Sequence, residues 1–178
     1  MKRTERNAHC PVNVALETLG DSWSLLIVRD LVFYGKRTFG EFLASEERIT
    51  TSVLADRLAM LVREGILAKT RSPDDRRKEH YALTEKGLAL IPVLVELANW
   101  GVTYGPEVTP NPLWVSKAQT DLQGLRALIH KTVRAGGSVW RGPNSVIDQL
   151  GGTSDPASST HPGPLPTGGA PLTRTQPS

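Results

Sequence analysis

Apolar positions recur at helical spacing through the first part of the chain. Val12, Ala15, Leu16 and Leu19 share one face of a predicted helix. Pro11 suits its first turn, where a missing N–H costs nothing, and Gly20 ends it. Trp23, Leu26, Ile27 and Leu31 form the apolar side of a second helix, Ser22 to about Val32, with Asp21 as its cap and Gly35 closing it. Thr38 caps a short third helix in which Phe39, Phe42 and Leu43 point inward. In the fourth, Thr50 is the cap, Ile49 and Leu54 form a hydrophobic staple, and Leu54, Leu58, Leu61 and Val62 repeat on one side. Gly65 is its expected C′ residue. The opposite side, with Thr51, Ser52, Ala55, Asp56 and Ala59, is small and polar at its N-terminal end.

The period then changes to strand-like. ILAKTRS and EHYAL read as two strands, joined by SPDDRRK with Pro73 and Asp74 as turn formers. Thr84 caps a long helix predicted to run to about Trp100, with Leu83 and Leu88 as a second staple and Pro92 as a kink. Prolines in GVTYGPEVTPNP, residues 101–112, argue against helix there. Ala118, Leu122, Leu125, Ile129 and Val133 predict one amphipathic helix over 113–134, and SVIDQL a short helical turn. The Pro-, Gly-, Ser- and Thr-rich end cannot bury enough surface to offset its ordering entropy and reads as disordered. The expected fold is mainly α with a small β-hairpin. A winged helix-turn-helix domain occupies residues 8–101, a C-terminal helical extension 102–150 and a tail 151–178. The extension adds to a dimer interface in the preferred reading and forms part of a small ligand-binding surface in the other.

Composition narrows the function classes. The net charge of +3 permits nucleic-acid binding without demanding it, so the arrangement of the basic groups decides. One cysteine excludes a disulfide framework within the chain and fits a reducing compartment. The charged N-terminal stretch lacks a signal-peptide core, and the apolar stretch near 88–98 reads as too short for a bilayer. A cytoplasmic, non-membrane protein is expected. His9, His80, His130 and His161 show no metal-ligand spacing, and neither a phosphate loop nor a nucleophile–base set is visible. No enzyme activity, metal or cofactor is expected.

A helix with a small polar face can enter the DNA major groove, where bulky residues would block the approach. Thr50, Thr51 and Ser52 are the candidates there for base edges or phosphates. Arg57 has two readings: a phosphate or guanine contact, or a partner for a nearby carboxylate such as Asp56 or Glu64. Arg76, Arg77 and Lys78 at the hairpin tip would reach the backbone or minor groove, with Asp74 and Asp75 either orienting them or only solubilising the turn. Lys36 and Arg37 are candidates for flanking phosphates. The helix after the hairpin is apolar on two sides. Leu88, Ile91, Val95 and Ala98 would serve the core; Leu90, Leu94 and Leu97 would serve a homodimer.

These blocks carry a resemblance. CPVNVALETLGDSWSLLIVRDLVFYGKRTFGEF resembles the opening of the HxlR-type winged-helix regulators of bacteria. VLADRLAMLVREGIL is similar to that family's recognition helix, and YALTEKGLALIPVLVELANWG to its wing exit and dimer helix. The resemblance spans about residues 8–101, although DDRRKEHYALTEKG is closer to a MarR-type wing. It implies a dimeric, sequence-specific regulator of transcription on double-stranded DNA, with repression as the expected sense. It also implies that Cys10 has a redox-sensing reading beside its reading as a small, partly buried hydrophobe. Operator and small-molecule effector are not specified. The rival reading is a winged-helix module that binds proteins and not DNA.

Overall fold

The computed structural model describes residues 10–71, 79–105, 108 and 110–152. The elements in order are α1 (Pro11–Leu19), α2 (Ser24–Phe33), α3 (Phe39–Leu43), α4 (Thr51–Arg63), β1 (Leu67–Arg71), β2 (Glu79–Leu83), α5 (Glu85–Leu88), α6 (Ile91–Tyr104), α7 (Pro112–Thr120), α8 (Leu122–Arg134) and α9 (Val146–Gln149). The expected hairpin loop, with Arg76, Arg77 and Lys78, lies outside the described residues, as does the chain from residue 153.

Helices α3 and α4 form the helix-turn-helix. A reciprocal capping box starts α3: the Glu41 backbone N–H donates to Thr38 Oγ1, and the Glu41 carboxylate accepts from the N–H groups of Arg37 and Thr38. Burial raises the Glu41 pKa, but these hydrogen bonds outweigh it and hold the carboxyl below its ordinary value. Phe42 is buried, as expected; Leu43 instead faces outward, because a five-residue helix has room for one inward turn. In α4, Leu54, Leu58 and Leu61 are buried together with Ile49. Gly65 ends the helix at φ 69°, a left-handed conformation that an L side chain resists.

The strands pair antiparallel from Leu67↔Leu83 to Arg71↔Glu79. An isolated bridge joins Thr38 to His80, and Tyr81 N donates to Arg37 O at 2.7 Å. The segment before α3 thereby docks on β2 and fixes the hairpin beside the helix-turn-helix.

Several elements depart from the expected boundaries. α2 starts at Ser24 rather than Ser22, because Asp21 accepts the N–H groups of Trp23 and Ser24 and holds a turn ahead of the helix. The predicted long helix from Thr84 is two helices, broken at Ala89 and Leu90, with Pro92 in the first turn of the second. There a missing N–H is harmless, so the proline starts a helix instead of kinking one. α6 continues through Gly101 to Tyr104. The helix predicted over 113–134 is also two, since Asp121 leaves helical geometry (φ −154°, ψ 73°) and its carboxylate caps α8 through Gly124 N. Expected as too short to cross a membrane, the stretch Glu85–Tyr104 does reach that length and apolarity. Its break, and the burial of Ile91, Leu94 and Val95 among the core residues, make it a core element of this fold.

The C-terminal extension joins the same core. Trp114, Leu125, Ile129, Val133, Val139 and Val146 pack in one cluster with Val28, Leu31 and Val95. Phe33, Trp114 and Trp140 form three edge or tilted ring pairs with centroids 5.6–6.2 Å apart. The end of α2 is closed by the extension's backbone: Val139 N donates to Val32 O at 3.0 Å and Trp140 N to Phe33 O at 2.9 Å. Gly35, at φ 68°, lies where an added Cβ would meet the Ser138 Cβ at 3.2 Å, so the close approach and the turn both select glycine.

Two predictions follow from this packing. Ile129→Ala should cost about 2–5 kcal/mol, seen as a lower urea midpoint in one cooperative transition; a separate early transition would mean the extension folds independently. The stability that Glu41 contributes is complete above its ordinary pKa of 4.5 and is lost as pH falls through the lower, folded-state value. Glu41→Gln should therefore flatten the acid limb of the urea midpoint below that pH.

Candidate nucleic-acid interface

The small polar side of α4 faces solvent. Thr51, Ser52, Ala55, Asp56 and Ala59 are all exposed, while the leucines opposite them are buried. Thr50 is the N-cap by backbone geometry, but its hydroxyl accepts no capping N–H; it lies 3.4 Å from Ser52 Oγ. The exposed hydroxyls of Thr50, Thr51 and Ser52 thus share the first turn of α4. β1 follows the end of α4 and pairs with β2, and their last described pair, Arg71 with Glu79, brackets in sequence the residues that include Arg76, Arg77 and Lys78.

Three of the expected DNA contacts are engaged elsewhere. Lys36 Nζ donates to Asp30 Oδ2 at 2.9 Å and to Ser45 Oγ at 2.7 Å, and its side chain is 15% exposed. Arg37 turns inward, donating to the carbonyls of Leu31 at 2.8 Å and Lys36 at 3.0 Å, with Gly137 O at 3.4 Å. Burial lowers its pKa, partly offset by Glu41. Through these bonds both residues support the α2–α3 loop. The carboxylate reading of Arg57 is the one realised, with a different partner: Nη1 lies 3.5 Å from Asp21 Oδ2. Arg57 sits off the exposed side of α4 and leans on the turn between α1 and α2, with its Nε buried and unpaired by any described residue.

The support beneath this surface was missed in the sequence. Asp30 is 3% exposed and accepts from Arg29 Nε, Arg29 Nη2, Lys36 Nζ and Ser45 Oγ at 2.6–3.0 Å. Arg29 also pairs with Glu47. Burial lowers the Arg29 pKa, and these two carboxylates more than restore it, for a net rise. The signal was available: a carboxylate inside LLIVRDLVF, between inward-facing Ile27 and Leu31, needs partners once buried. Nearby, Tyr34 lines a cleft of about 200 Å³ with Arg29, Lys36 and Arg141, whose charges are balanced by Glu41, Glu46 and Glu47 on the same walls. The cleft has no net sign that would select a charged ligand.

The expected dimer residues divide. Leu94 is 5% exposed in the chain's own core, and Leu90 is half-buried against it. Leu97 is 49% exposed and accompanies exposed Val93, Trp100 and Tyr104 on α6. The reason is the extension: α8 packs on α6 and takes part of the side assigned to a partner. On the apolar face of α1, Val12 and Leu16 are exposed, as is Val14, while Leu19 packs against the core. Cys10 is exposed, not partly buried, just before α1. Trp23 is half-buried against the core.

Known proteins match over this same region. The model of the HxlR-like helix-turn-helix family fits residues 18–109. An uncharacterized HTH-type transcriptional regulator of Mycobacterium tuberculosis is 38% identical over 102 residues, 57% of this chain and 63% of that protein. The uncharacterized regulator YdeP of Bacillus subtilis is 33% identical over 95 residues, 53% of this chain and 73% of its own. The solved structure of PA1607, a candidate transcription factor, has 38% identity and a TM-score of 0.55, covering 61% of this chain and 76% of that one. The match to the mycobacterial relative thus spans 63% of its length. The helix-turn-helix, the hairpin, α5 and α6 lie inside the residues matched by the family model, and this chain belongs to the HxlR-like helix-turn-helix family.

Proposed function

We propose that this chain is a dimeric, sequence-specific regulator of transcription that places α4 in the major groove of double-stranded DNA. The observation that carries the reading is the open side of α4, where Thr51, Ser52, Ala55, Asp56 and Ala59 are exposed with no bulky side chain among them. Hydroxyls there can donate to or accept from base edges, and Asp56 can accept from a cytosine amino group. In sequence, Arg76, Arg77 and Lys78 lie between the two strands of the hairpin and are the proposed phosphate or minor-groove contacts. The family to which the chain belongs supports the same reading.

The partner surface is the exposed apolar set on α1 and α6. Val12, Val14 and Leu16 on one helix and Val93, Leu97, Trp100 and Tyr104 on the other are all exposed in the single chain. Apolar area of that extent is costly in water, and a two-fold partner would cover it and match two half-sites. Leu97 keeps its proposed role here, and Trp100 joins it.

A second reading, a protein-binding module without DNA, draws on one observation: Lys36, Arg37 and Arg57 are turned to internal partners and no longer present free charge at the surface. Anisotropy titrations with DNA from upstream of the chain's own coding sequence separate the two. Binding should weaken with salt by a log–log slope of about −0.9 per phosphate contact. Arg76→Glu combined with Arg77→Glu should abolish it while the dimer persists. A wild-type chain without salt-sensitive preference for that DNA leaves the protein-binding module standing.

Leu97→Glu with Trp100→Glu should give a monomer in sedimentation velocity and lose more than tenfold in affinity for a two-half-site fragment. A double variant that stays dimeric would remove α6 from the interface.

A further inference from the structure

Arg48, in the turn between α3 and α4, has a left-handed backbone with φ 55°. For an L residue with a Cβ this conformation brings side chain and carbonyl too close. Asn144 is the other non-glycine residue with positive φ among those described, and asparagine tolerates it through its short polar side chain. Arginine has no such local compensation.

The surroundings explain how the strain is held. On one side, Ser45 Oγ donates to buried Asp30 at 2.6 Å, and Lys36 Nζ donates to the same hydroxyl. Arg48 N donates to Ser45 O at 3.1 Å, and Glu47 is paired with Arg29. On the other side, Ile49 is 6% exposed in the core. The chain is fixed before and after Arg48, so the turn must be made there. Glycine would make it without strain. What arginine adds is charge and reach.

That charge has no use inside the described structure. Arg48 is exposed, and it makes no side-chain hydrogen bond, ion pair or ring contact with any described residue. Lys36, Arg37 and Arg57, three of the cations expected to meet DNA, are engaged internally. Arg48 stands two residues before Thr50, so its Cα lies within about 7 Å of the α4 N-cap along an extended chain. A guanidinium there can take a phosphate oxygen pair in a bidentate contact.

We infer that Arg48 is a DNA-backbone contact of this protein, held in a strained turn beside the entrance of α4, on the phosphates flanking the bases that α4 meets. The inference rests on the DNA-binding reading above and adds to it a residue that supplies the charge Lys36 and Arg37 do not. Strain held in place by the surrounding packing, at a residue with no partner among the described residues, is the pattern of a site shaped for an external contact.

The test uses full-length Arg48→Gly and Arg48→Lys chains in thermal melts and salt-varied DNA titrations. Arg48→Gly should raise the Tm by about 2–4 °C as the backbone relaxes. It should also weaken DNA binding about tenfold and flatten the salt slope by about 0.9, the signature of one lost phosphate contact. Arg48→Lys should keep the wild-type slope and Tm. An Arg48→Gly chain that binds with unchanged affinity and slope, while wild type binds in a salt-dependent way, overturns the contact and leaves the DNA reading intact. A lowered Tm in Arg48→Gly overturns the strain argument. Wild-type chains that bind no DNA overturn both readings together.

Discussion

The Asp30 carboxylate is buried in α2 and shared among three donors from three places: Arg29 of its own helix, Lys36 of the following loop and Ser45 of the turn before α4. A carboxylate taken out of water is costly unless it is paired and hydrogen-bonded, and losing a partner leaves part of its buried charge uncompensated. The cost fixes geometry. The loop after α2 cannot move without Lys36, and the turn before α4 cannot move without Ser45. The helix that faces solvent with Thr51 and Ser52 is therefore aimed by a carboxylate on α2. Arg57 adds a second tie from α4 to the turn before α2 through Asp21, whose pKa burial raises and whose hydrogen bonds and Arg57 bring to a net lowering.

The extension completes the domain from the far side. Its backbone closes the open carbonyls at the end of α2, Gly137 O receives Arg37, and Trp114 and Trp140 surround Phe33. Helix ends carry unsatisfied groups that must be met by something, and here the chain after residue 110 meets them. Arg37 links the two halves. Its side chain bonds the end of α2 and the extension, while its backbone bonds the α3 cap and β2. A cation that looked available for phosphate is instead the joint on which the helix-turn-helix hangs.

Most of the element order was legible because helical and strand periodicities differ and caps mark where each begins. The cap at Thr38, the glycine after α4, and the strand EHYAL were all readable in this way. The breaks at Ala89–Leu90 and Asp121 were not, since the apolar spacing runs on across both. A helix interrupted by one turn keeps nearly the same face inward, so periodicity alone does not expose the break. The candidate surface was legible where it depended on small side chains. It was not legible for Lys36, Arg37 and Arg57, because a long cation in sequence carries no record of which carboxylate or carbonyl will fold against it.

By itself the sequence determined which residues can start, continue and stop each element, and which side of α4 is too small and polar to be core. Those are local properties, settled within a turn or two by capping, spacing and side-chain size. Only the tertiary structure decided which charges remain free. Asp30 claims Lys36, the extension claims Arg37, Asp21 claims Arg57 and α8 covers part of α6, while Arg48 and the apolar sides of α1 and α6 stay open. The reason is that pairing and burial depend on residues distant in the chain that only the fold brings within a few ångströms.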